Sequence, residues 1–116
     1  MAIKNWLKWE FSSGSITGED FKRFASDFKK EIKRRLPVGA KLVQWNVGHY
    51  YISGFIKNED NKYVYFSISD VRYFRNDWYN NILVRTAKDE NDYTGGSNNF
   101  TSLENFTQKV AELLNR

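Results

Sequence analysis

Residues able to do covalent or metal chemistry are few in this chain and poorly grouped. His49 is the single histidine, and cysteine is absent. Metal sites built on histidine ordinarily use more than one imidazole, and a general base needs a positioned partner that nothing near Gly48-His49-Tyr50 supplies. The carboxylates Asp70, Asp77 and Asp92 are scattered through loop-like stretches. A magnesium site shared with phosphate oxygens needs only one or two carboxylates, so a metal-dependent nuclease is conceivable. Aspartate in turns is also what turn chemistry alone produces, and that reading is preferred. Thr94-Gly95-Gly96-Ser97 lacks the Gly-Lys-Ser/Thr ending of a phosphate-binding loop and follows no apolar strand directly. Ser12, Ser13 and Ser15 lack the strand–turn–helix setting of a nucleophile elbow. The sequence assigns no catalytic residue, no metal ligand and no cofactor. The expectation is a binding protein and not an enzyme.

Charge gives the stronger signal. The chain carries a formal +4 with a pI near 9.3, but the excess is unevenly placed. From Lys22 to Arg35 there are seven basic residues against two acidic ones, whereas from Ala87 to Arg116 there are three basic against five acidic. Lys22, Arg23, Lys29, Lys30, Lys33 and Arg34 are therefore candidate contacts for phosphates or for an acidic protein surface. A charge run on a helix is often only a solvated face. Against that stands the Lys22/Lys29/Lys33 column, which has no acid on its own helix placed to neutralise it. Tyr63 and Tyr65, alternating with Ser67 and Ser69, form a second candidate surface suited to partner binding or base stacking. A further packed layer could equally cover them.

These residues must be positioned by a small number of elements. Trp6–Phe11 alternates apolar and polar side chains and reads as a strand. Thr17 resembles a helix N-cap, with Glu19 and Asp20 in the first turn. At about 100° per residue, Phe21, Phe24, Ala25, Phe28, Ile32 and Leu36 fall in one arc, and Pro37 ends the helix at Leu36. Asp27 and Glu31 lie on the remaining flank, within reach of Arg23, Lys30, Arg34 or Arg35.

Val43, Trp45 and Val47 alternate with Leu42, Gln44 and Asn46, and Gly48-His49 marks a kink or turn. Tyr50–Lys57 and Tyr63–Ser69 flank the turn cluster Asn58-Glu59-Asp60-Asn61 and should form an antiparallel hairpin. Val64, Phe66 and Ile68 would then face the helices. Gly54, between Ile52 and Ile56 on one face, would let a helix approach closely. Arg72–Asn81 is a long connection, and Ile82–Ala87 a further strand. Lys88–Asn99 reads as a polar loop, and Thr101 with Glu104 as a capping box opening a helix through Leu103, Phe106, Val110, Leu113 and Leu114. The expected order is β-α-β-β-β-β-α. That describes an α+β domain, an antiparallel sheet of about five strands with two amphipathic helices packed on one face.

A chain of 116 residues can bury roughly two-thirds of its unfolded surface, enough for a single core spanning residues 1–116. No window of about 18 uncharged apolar residues exists, which argues against a membrane span. The first residues have no apolar stretch of the length a signal peptide needs. The expected location is cytoplasmic. Oligomeric state is left open.

The stretch Leu42-Val43-Gln44-Trp45-Asn46-Val47-Gly48-His49-Tyr50-Tyr51-Ile52-Ser53-Gly54-Phe55-Ile56, followed by Tyr63–Arg72, resembles small proteins carried on plasmids and conjugative elements of low-GC Gram-positive bacteria. Trp78–Ala87 and Asp92-Tyr93-Thr94-Gly95-Gly96-Ser97 resemble them too, so the likeness runs from Leu36 to Phe106. Some proteins of such elements are anti-CRISPRs, inhibitors of the type II effector nuclease. The resemblance implies a non-enzymatic inhibitor whose partner is a protein or ribonucleoprotein, a CRISPR effector or its guide RNA. A basic chain is not a DNA mimic, which should be acidic. The alternative is an independent nucleic-acid-binding module.

Overall fold

The computed structural model describes residues 18–48, 51–68, 81–93 and 96–115. Helix α1 (Gly18–Arg34) precedes five strands: β1 (Lys41–Val47), β2 (Ile52–Lys57), β3 (Tyr63–Ile68), β4 (Ile82–Ala87) and β5 (Asn99–Thr101). Helix α2 (Phe106–Leu114) follows. The strands form one antiparallel meander in the order β1-β2-β3-β4-β5. The α+β class and the five-stranded sheet match the sequence pattern, while the element order differs slightly. The expected strand Trp6–Phe11, the Thr17 cap, His49, Asp70, Asp77 and nearly all of the Arg72–Asn81 connection lie outside the described residues.

The apolar arc of α1 is buried as its spacing predicts: Phe21, Phe24, Ala25, Phe28 and Ile32 all belong to the core. The helix stops at Arg34, earlier than the expected Leu36. The Arg35 amide is shared between the carbonyls of Glu31 and Ile32, both at 3.1 Å, as the last turn tightens ahead of Pro37. On the sheet, Trp45, Gly54, Phe66 and Val84 form a cross-strand row on the inner face. Phe28 of α1 lies 5.9 Å from the Trp45 ring, and Phe106 of α2 meets Phe66 edge-on at 5.8 Å. Both helices thus cover the same face. Arg35 Nη1 donates to the Leu103 carbonyl at 3.1 Å and Thr107 Oγ1 donates to the Arg35 carbonyl at 2.6 Å, which ties the two helix ends together.

Three local expectations are corrected. Leu42 pairs with Ile56 but Gln44 with Phe55, so a β-bulge falls at Val43. The extra residue puts Leu42 and Trp45 together against the core, where simple alternation would have separated them. Gly54 does not admit a helix. A Cβ there would lie 2.5 Å from the Gln44 carbonyl oxygen and 2.8 Å from Phe66 Cζ, so the space is taken by the sheet's own neighbours. Thr101 is not the N-cap of the last helix, because it ends β5, opposite Ile82. The hydroxyl of Ser102, not that of Thr101, accepts the Asn105 amide at 3.1 Å, and the helix begins at Phe106. Leu103, Phe106, Val110, Leu113 and Leu114 are nonetheless all buried. Strands β2 and β3 are joined as anticipated. The Asn58 side-chain oxygen accepts the amides of Asp60 and Lys62, both at 2.9 Å, and Asn61 takes a positive φ of 62°.

Candidate partner-binding surface

The sheet separates the candidate residues into two groups. Lys22, Arg23, Lys30, Lys33 and Arg34 are exposed on α1, and Lys29 is half-buried. Tyr63 and Tyr65 project from the opposite face of β3, since Val64 and Phe66 between them point into the core.

On α1 the two flanks differ in chemistry. Glu31 is buried at 3% exposure, and it accepts from Arg35 Nε at 2.7 Å and from Arg34 Nη1 at 3.3 Å. One of the candidate cations, Arg34, is therefore held by a carboxylate. The other flank faces β1. A shallow groove of about 190 Å³ is lined there by Lys29, Lys33, Trp45 and the backbone around the Val43 bulge. The Lys29 ammonium lies 5.9 Å from the centre of the Trp45 ring, a distance at which the ring quadrupole attracts a cation. Lys29 and Lys33 form no ion pair among the described residues.

Two further lysines join this surface from the sheet. β1 and β2 set Lys41 directly opposite Lys57. Like charges in that position repel, and the pairing costs a few tenths of a kcal/mol or more. Lys57 leans away, its ammonium 5.7 Å from the centre of the Tyr63 ring. A second groove of about 280 Å³ runs between Lys41, Val43, Lys57 and the hairpin turn, with Glu59 as its acid. Val43 lines both grooves and stands at the crest between them. β1 is thus flanked by lysines on each side: Lys29 and Lys33 from α1, Lys41 and Lys57 from the sheet. Sequence reasoning passed over Lys41 and Lys57 because each looks like an isolated surface charge. The hairpin register was the signal that could have paired them.

The far face of the sheet is less open than its tyrosines suggest. Phe55, Tyr65 and Arg85 form a cross-strand row, and Tyr93 from the loop after β4 closes over it. Tyr93 meets Phe55 edge-on at 5.1 Å and Tyr65 at 5.7 Å, while its hydroxyl donates to Gln44 Oε1 at 2.9 Å. The Arg85 guanidinium lies 4.3 Å from the centre of the Tyr65 ring and donates to the Tyr93 carbonyl and to Asn98 Oδ1. Phe55 is completely buried in this small outer cluster. Tyr65 is a packed member of a second layer, and Tyr63 flanks Lys57.

The remaining chemical candidates have structural explanations where they are described. Asp92 accepts the Lys88 amide at 2.9 Å, which closes the loop after β4. Gly96, with φ of 73°, packs against Thr86. Among the described residues no group of three or more histidine or carboxylate side chains is placed to hold a metal ion. Among the same residues, no helix is long and apolar enough to cross a membrane. No family model, no curated protein and no solved structure matches the chain.

Proposed function

We propose that this chain is a non-enzymatic, cytoplasmic binding protein of a mobile genetic element that inhibits a type II CRISPR effector nuclease. Its working surface is the lysine column of α1 together with the lysines around β1. The identity of the partner comes from the resemblance of Leu36–Phe106 to proteins of such elements. The surface is supported by one observation above the others: Lys29 and Lys33 line a groove against β1, and among the described residues no carboxylate pairs with either. A protein that kept these charges merely for solubility would gain from neutralising some of them in i,i+3 or i,i+4 pairs, as it does for Arg34 and Arg35 with Glu31.

The test is direct. Purified protein is mixed with the effector, with and without guide RNA, and both co-elution and target cleavage are followed. The expected result is a stable complex and suppressed cleavage, both lost in the Lys29→Glu/Lys33→Glu variant. Unchanged cleavage with no co-elution overturns the reading.

The second reading, an independent nucleic-acid-binding module, draws on the same cations plus Lys22 and Lys30. If three to five of them met phosphates, log affinity would fall against log salt with a slope of about −2 to −5. Titration against single- and double-stranded nucleic acid separates the readings, because binding confined to very low salt is nonspecific attraction.

A further inference from the structure

From the edge of β1 that no described strand pairs with, and the cations around it, we infer that β1 is a strand-addition site for an extended, acidic polypeptide segment of a partner. This rests on the reading of the α1 lysine column as a binding surface and specifies what that surface receives. Among the described residues, β1 is a terminal strand of the sheet, with β2 on one side and no strand on the other. Its outer backbone groups are therefore a template for pairing with another chain. The strand is seven residues long, enough for a ladder of ordinary length.

Charge selects the occupant. Side chains of an added strand would point alternately to the two faces of the sheet. One set would enter the groove lined by Lys29, Lys33 and Trp45, and the other the groove lined by Lys41, Lys57 and Glu59. The first groove contains no acid, so glutamate or aspartate at every second position would be met there by lysine. The spacing agrees: Lys29 and Lys33 are separated by about 6 Å along a helix axis, and same-face side chains of a strand by about 6.6 Å. The second groove carries an acid of its own and suits uncharged side chains. A second copy of this chain is disfavoured, because pairing β1 with itself would bring lysine against lysine. The bulge at Val43 interrupts this edge for any added strand and leaves Gln44–Val47 as its regular stretch.

The experiment uses the full chain and three probes. One is a peptide of alternating glutamate and threonine, about ten residues long to match an edge strand. The second is its lysine–threonine counterpart, and the third a single-stranded oligonucleotide. Binding is followed by fluorescence anisotropy, and backbone amide exchange is read residue by residue. The glutamate peptide should bind and slow exchange across Leu42–Val47. Lys29→Glu/Lys33→Glu should weaken it roughly tenfold, the sum of a few exposed charge pairs. Lys88→Glu/Lys109→Glu, an equal change in net charge away from both grooves, should weaken it less than about twofold. The lysine peptide should not bind.

Equal loss in the two double variants, or binding without slowed exchange in β1, overturns strand addition in favour of diffuse attraction. Oligonucleotide binding with the same lysine dependence, while the glutamate peptide fails, overturns it in favour of phosphate capture. Peptide capture without effector co-elution removes the proposed partner and leaves the edge site standing.

Discussion

Lys41 and Lys57 face each other across the first strand pair, and neither forms an ion pair among the described residues, although Glu59 lines the same groove. Such a pair is a stability cost carried by the free protein. Lys41→Glu should turn the repulsion into a cross-strand attraction and stabilise the fold by about 0.5 kcal/mol. Thermal denaturation should show a rise of roughly 2–4 °C. The same variant should bind the glutamate peptide more weakly. A drop in melting temperature would mean that Lys41 has an attractive role in the free protein. Arg85 shows the opposite arrangement. Stacked on Tyr65 and donating to Tyr93, it spends its charge inside the outer cluster, although its Nε is buried without a partner. Basic residues of similar appearance in sequence therefore differ sharply in what they can offer a partner.

At the scale of elements, β1 and β2 are fitted together through one residue without a side chain. Trp45 and Phe66 flank Gly54 in register, and their ring centres lie 6.1 Å apart across it. Gly54→Ala places a methyl group against the Gln44 carbonyl, a backbone atom that can move only if β1 moves. The expected destabilisation is about 2 kcal/mol, the usual cost of overpacking a filled core. Chemical denaturation should show a lowered midpoint with an unchanged slope. Unchanged stability would show that β1 shifts freely on β2. Because β1 also forms the proposed docking edge, Gly54→Ala should impair peptide binding even though Gly54 is buried and distant from solvent.

For the molecule as a whole, the decisive junction is where α1 meets α2. Arg35 links the buried Glu31 carboxylate to the Leu103 carbonyl, and only 16% of its side-chain surface is exposed. Arg35→Ala should cost about 2–3 kcal/mol, because it leaves Glu31 buried with only the longer contact to Arg34. Urea unfolding measures the loss. Replacing Glu31 as well, in the double variant Glu31→Gln/Arg35→Ala, should recover part of it, since the uncompensated charge is gone. No recovery would place the effect in lost packing of the Arg35 stem instead. This junction also fixes the outward angle of the basic flank. With one side of α1 anchored to α2 through Glu31 and Arg35, the opposite side carrying Lys29 and Lys33 is held over β1.

The sequence by itself determined the class of fold, the buried arc of α1, the β2–β3 hairpin and the apolar residues of α2. These follow from periodicity and turn chemistry, which are local and therefore readable along one dimension. It also located the positive charge on α1. Tertiary structure alone decided which of those charges remain available. Helical spacing puts Glu31 within reach of Arg34 or Arg35, and its burial in the fold makes it a fixed partner of both. The bulge at Val43, the short strand β5 and the closure of Tyr93 over Tyr65 depend on pairings between distant residues, and no local pattern encodes them. For the same reason Lys41 and Lys57 became part of the candidate site only through strand register. The proposed binding surface joins a lysine column readable from helical spacing to two lysines that strand register brings beside it, because pairing between strands is not a local property of the chain.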